Sequence, residues 1–275
     1  MIGSILENWI VQLVLGVGMI VIFGLIIWLL NRAFFKLMGR KARPAVMLTG
    51  FIGVPAHELG HALFCVVFRH RIHEIKLYQP NSKDGVLGFV RHSYNKKSLY
   101  QRMGLFFIAT GPIILGTALI FLLMWIFVVD IWRDISAITP AFQEMGLRDI
   151  PLIFSSSWEA LGIIFSGHNF GYWEWWAFMI PALSVSLFMS MSVADVNSAK
   201  SGFAVIAGVF LIVNIILGII NIDIVYGLTY YMLRGSFYIA NFMAVAVLMA
   251  TIIVLIALII YTIIYIMRRI SGRAA

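Results

Sequence analysis

The stretch AVMLTGFIGVPAHELGHALFCVVF, running from Ala45 to Phe68, is apolar except for Thr49 and one tight ionisable group made of His57, Glu58 and His61. About 20 apolar residues in helical form cross roughly 30 Å of hydrocarbon, so this stretch is predicted to be a membrane-spanning helix. An ionisable side chain facing lipid costs at least about 2.5 kcal/mol, so the three residues should face protein or a water-filled cavity.

Five further segments are similarly apolar: Trp9 to Leu30, Met103 to Val129, Trp175 to Met191, Gly202 to Ile220 and Ser236 to Met267. The predicted fold class is therefore an all-α membrane protein of about six transmembrane helices, read as a single integral membrane domain over residues 1–275. The fourth segment is short enough to be partly broken, and the sixth is long enough to tilt or protrude. A hydrophobic content of 62%, a mean hydropathy of +0.98 and only 12% charged residues exclude a soluble globular class. The net charge of +8 sits in short loops, where it reads as topology and contact with the lipid bilayer rather than nucleic-acid binding. A single cysteine, Cys65, excludes an intrachain disulfide. The N-terminal apolar run lacks a preceding basic region and is too long for a signal-peptide core, so it is read as a true span.

Between the second and third segments, Ile72 to Tyr78 and Val86 to Ser93 are predicted to be short strands, giving a hairpin over 72–93 with Pro80, Asn81, Asp84 and Gly85 in the turn. Residues 130–174 read as an extramembrane loop with one amphipathic helix near Ser157 to Phe165, followed by an aromatic belt at Trp173, Trp175 and Trp176. With a cytoplasmic N-terminus, the inside loops would hold twelve Lys and Arg against eight outside. That arrangement turns the hairpin toward the cytoplasm, and a cell membrane is the expected location. The basic loop 31–44 conflicts with it unless a re-entrant or interfacial piece forms near Pro44.

His57-Glu58-Leu59-Gly60-His61 has the H-E-x-x-H spacing. On a helix its two histidines project from one face toward a single ion, and Glu58 can reach a water on that ion. Chance would give such a match in this composition about 0.3% of the time. Catalytic zinc commonly takes a third protein ligand. Cys65, Asp130, Glu174, Asp223, His70, His73, His92 and His168 are all candidates, but each has a plainer role as packing, turn or solvated residue. Asp195 is the strongest on topology: the second and fourth segments run in the same direction, so Asp195 and His61 approach the same membrane face. A helix cap is the competing role for Asp195.

The run Pro55-Ala56-His57-Glu58-Leu59-Gly60-His61-Ala62, the hairpin, the Thr110-Gly111-Pro112 break and a later acidic residue together resemble the site-2 protease family of intramembrane zinc metalloproteases, over about residues 45–200. The resemblance implies Zn2+ held by His57, His61 and Asp195, with Glu58 as catalytic base and a membrane protein or peptide as substrate. The chain departs from the family in having only Pro181 ahead of Asp195 and no Leu-Asp-Gly. A metal-ion transporter should show further ionisable residues along its spans, which the fifth and sixth segments lack. A catalytically inactive zinc-binding scaffold would not need Glu58.

Overall fold

The computed structural model describes residues 2–82, 85–138 and 150–270. The predicted turn residue Asp84 and residues 139–149 of the predicted loop lie outside them. Helix α1 (Ile2–Val11) continues through a π-helical turn (Gln12–Val17) into α2 (Gly18–Met38). A single 3-10 turn (Gly39–Lys41) then leads into α3 (Ala42–Val67). Strands β1 (Arg71–Lys76) and β2 (Phe89–Ser93) form an antiparallel pair, followed by α4 (Leu99–Phe127), α5 (Val129–Ile138), α6 (Ile150–Ile164), α7 (Trp173–Leu187), α8 (Val193–Ile220) and α9 (Ile222–Ile270).

The fold is that of a mostly α-helical membrane protein with a small inserted sheet. Among the described residues, five helical stretches are long and apolar enough to cross a bilayer: Ile2–Met38, Ala42–Val67, Leu99–Phe127, Val193–Ile220 and Met243–Met267. The predicted fourth span is α7, whose 15 residues reach only about 22 Å at helical rise. Pro44 lies in the first turn of α3, and the link from α2 is the tight turn through Gly39, so there is no re-entrant piece. The predicted loop over 130–174 is largely helical where described, and its helix starts at Ile150, ahead of Ser157. Of the three belt tryptophans, Trp173 and Trp176 are exposed. Trp175 is instead buried in the core, its Nε1–H donating to the Ile164 carbonyl at 2.8 Å.

Several polar side chains inside the helices bond one another, as a low-dielectric interior favours. Gln12 and Asn214 exchange amide hydrogen bonds of 3.1 and 2.7 Å, and Gln12 also donates to Thr229 at 2.8 Å, joining the π turn to α8 and α9. Asn214, a polar residue within the apolar run Gly202 to Ile220, is thus a helix-to-helix lock.

Helices α3 and α4 cross at two glycines. A Cβ on Gly60 would lie 2.7 Å from the Gly111 carbonyl group and the Pro112 nitrogen, and a Cβ on Gly111 would meet the Gly60 carbonyl in turn. Small residues allow such backbone contact, which is a main source of helix association in lipid. Gly60→Ala should therefore destabilise the detergent-solubilised protein by about 1–3 kcal/mol. Gly208→Ala, in α8 with nothing within 4 Å of the added carbon, should be neutral or stabilising. Thermal unfolding of the two variants side by side checks this.

Candidate metal centre

Helix α3 presents His57, Glu58 and His61 on one side, toward α4, the start of β2 and the α7–α8 junction. Glu58 and His61 are buried. His57 Nδ1 lies 2.6 Å from the Phe188 carbonyl and His61 Nδ1 2.7 Å from the Ile108 carbonyl. A carbonyl oxygen only accepts, so in both neutral rings the proton is on Nδ1 and the lone pair on Nε2. The two Nε2 atoms face each other at 3.1 Å. Two lone pairs so placed repel unless a cation stands between them.

Both carbonyls are free for this purpose for backbone reasons. In an α-helix the Ile108 carbonyl would accept from the N–H of residue 112, and Pro112 has none. Helix α4 is continuous through Pro112, so the predicted Thr110-Gly111-Pro112 break is corrected. Its glycine admits α3, and its proline releases a hydrogen-bond acceptor to His61. The Phe188 carbonyl is free because α7 ends there. Phe188 sits opposite His57, ten residues or about 15 Å before the end of α3, so this helix end falls within the thickness of the bundle. Irregular backbone at that depth requires protein partners. Asn31 of α2 supplies one by donating to the Leu187 carbonyl at 3.0 Å, and His57 supplies the other. Gly53 makes room for the Phe188 ring, which a Cβ there would strike.

The chain resumes as α8, whose N-terminus carries Asp195. Its Oδ2 accepts from the Ser192 N–H at 2.7 Å, and its own N–H donates to Ser192 Oγ at 3.1 Å, forming a capping box. Its Oδ1 lies 3.7 Å from His61 Nε2. The two roles weighed for Asp195, helix cap and ligand, thus use different oxygens of one carboxylate. One donor atom each from His57, His61 and Asp195 lies within 4.8 Å of the others. A tetrahedral ion with bonds of about 2.0–2.2 Å holds its donors about 3.3 Å apart, and the separations of 3.1 and 3.7 Å fit that spacing. Two aimed imidazoles and a carboxylate are also a donor set that zinc accepts.

These residues line a cavity of about 320 Å³ whose far wall is the hairpin, with Gly88, Phe89, Val90 and His92. A Cβ on Gly88 would come within 2.8 Å of the Glu58 side chain, so only glycine lets the hairpin close this tightly over the carboxylate. Ser198 also lines the cavity, while Asn197 is exposed on α8.

The other candidate ligands stand elsewhere. Asp130, Glu174 and His168 line a separate cavity of about 1030 Å³ at the opposite end of α7. Asp223 begins α9, and exposed His73 bonds Ser93 Oγ at 2.8 Å. Cys65 groups with His70 and His92, apart from the other three donors. The expectation of an exposed or turn role fails for His70, which is buried with Nε2–H donating to the Gln101 carbonyl at 2.8 Å. Sequence reasoning missed Asn31, Gly88 and the wall position of His92. A proline four residues after a carbonyl was a visible signal, but its partner was not.

No family model, curated protein or solved structure matches the chain.

Two predictions separate positioning from ligation. Restoring an N–H with Pro112→Ala gives His61 a competitor for the Ile108 carbonyl and should weaken zinc binding about tenfold while leaving the fold intact. Asp195→Asn keeps an oxygen for the capping box but removes the anionic donor, so zinc binding should fall while thermal stability holds. Ser192→Ala should do the reverse, costing about 1 kcal/mol of stability with bound zinc retained. Zinc titration and thermal melts on the three variants check both.

Proposed function

We propose that this protein is an intramembrane zinc metalloprotease of the site-2 protease kind, cleaving membrane-embedded protein or peptide substrates. The observation that carries the reading is the meeting of His57, His61 and Asp195 in one cavity with the buried carboxylate of Glu58. Bound at those three residues, zinc would supply a Lewis acid that acidifies water and polarises a peptide carbonyl. Glu58 takes the proton of the attacking water on a carboxylate oxygen and delivers it to the departing amide nitrogen, leaving a carboxyl and an amino terminus. The Nδ1–H bonds of His57 and His61 keep both rings aimed through the cycle.

A substrate helix hides its peptide bonds in its own hydrogen bonds and must unwind before cleavage. Phe89 and Val90 of β2 form part of the cavity wall, and among the described residues β2 pairs only with β1, so an extended segment entering there can add to the other edge of the sheet. The hairpin and the turn into α4 carry Arg71, Lys76, Arg91, Lys96 and Lys97, which favours the cytoplasmic side of the cell membrane for the site. A transporter is disfavoured because Asn214, the polar residue in the apolar stretch Gly202 to Ile220 of α8, is closed by Gln12 and offers no relay. An inactive scaffold has no use for a carboxylate in the cavity.

Glu58→Gln should retain zinc and fold yet lose nearly all cleavage of a reconstituted single-pass substrate; undiminished cleavage by that variant defeats the protease reading. Phe89→Pro, which disrupts the β2 edge, should lower cleavage more than zinc content, whereas equal losses would assign the hairpin a purely architectural role.

A further inference from the structure

Helix α3 ends in a way that brings two donor residues together. The His70 N–H bonds the Cys65 carbonyl at 2.8 Å and the Arg69 N–H bonds the Val66 carbonyl at 3.1 Å. With Arg69 at φ 56°, this is a Schellman motif whose left-handed position is filled by a residue other than glycine. Such motifs commonly bring the residue at the Cys65 position against the one at the His70 position through an apolar contact. Here the two residues are a thiol and an imidazole.

The hairpin adds a third donor. His92 sits opposite Ile72 in the β1–β2 register, and its Nδ1 lies 3.1 Å from His70 Nδ1. The His70 Nε2–H donates to the Gln101 carbonyl, so its Nδ1 lone pair is turned toward His92. Gln101 is itself held, with Nε2 donating to the Arg69 carbonyl at 2.9 Å and Oε1 accepting from the Asn95 N–H at 2.6 Å. Tyr94 stacks on the His70 ring at 5.2 Å. Sγ of Cys65 and one nitrogen from each histidine lie within 4.8 Å of one another, with Cys65 wholly buried. Burial lowers the pKa of both His70 and His92.

We infer that Cys65, His70 and His92 form a second metal site, for a thiophilic ion of the zinc class. One sulfur and two imidazole nitrogens are the donors such an ion prefers, and carboxylates, which would suit magnesium or calcium, do not take part. On binding, the Cys65 thiol releases its proton to solvent and donates as the thiolate, and water takes the remaining position. The ion joins the end of α3 to β2. Because His92 also lines the neighbouring cavity, it fixes the hairpin wall that faces Glu58. The inference stands independently of the protease reading.

Cobalt distinguishes the two sites, since only a thiolate ligand gives sulfur-to-cobalt charge transfer in the near ultraviolet and the His57–His61–Asp195 group contains no sulfur. The full-length protein in detergent, loaded with Co2+, should bind two equivalents and show that band. Cys65→Ala should lose the band and one equivalent. The double variant His57→Ala, His61→Ala should keep the band with one equivalent lost. Absence of the band from folded wild-type protein overturns the inference, and so does a band that survives unchanged in both His70→Gln and His92→Gln. Because the wild type alone can overturn it, a variant that fails to fold does not protect the proposal.

Discussion

A backbone carbonyl without a hydrogen bond is costly inside a membrane-spanning bundle, and this protein has two such carbonyls facing the same space. Ile108 is released by the missing N–H of Pro112, and Phe188 by the early end of α7. The histidines of α3 satisfy both. Each bond fixes a tautomer, and together they turn two Nε2 lone pairs toward one point. A cation held between them would relieve the electrostatic strain of that pairing, so the same two rings that meet the demand of the backbone would also meet that of a metal.

The rest of the bundle serves this meeting. Gly60 and Gly111 let α3 approach α4 closely enough for His61 to reach Ile108, and Gly53 accommodates Phe188 beside His57. The broken pair α7–α8 sets the capping box of α8 beside the histidines, so Asp195 both starts a helix and presents a carboxylate oxygen to them. An acidic group near a helix N-terminus also opposes the positive end of the helix dipole. The hairpin closes the opposite side, and Gly88 is the point where it passes over Glu58.

The helical membrane fold was legible because apolar runs of more than about 20 residues have few other uses. The hairpin was legible from its alternating strands and turn residues, and the H-E-x-x-H spacing is informative on its own. The approach of Asp195 followed from counting spans. What was hidden depends on tertiary partners. Nothing in Trp173 to Met191 marks where α7 stops, since its end is set by Asn31 and His57 from other helices. Trp175 resembles its exposed neighbours in sequence and differs through its bond to Ile164. His70, adjacent to basic residues, reads as a surface turn until the Schellman geometry folds it back onto Cys65.

The dependence of cleavage on metal at this site tests the account most directly. Purified protein reconstituted with a single-pass membrane substrate is stripped by a strong chelator, assayed, then reloaded with zinc. The account predicts that cleavage disappears in the stripped protein and returns as zinc refills the His57–His61–Asp195 site. Cleavage that continues undiminished in fully metal-free protein would contradict it.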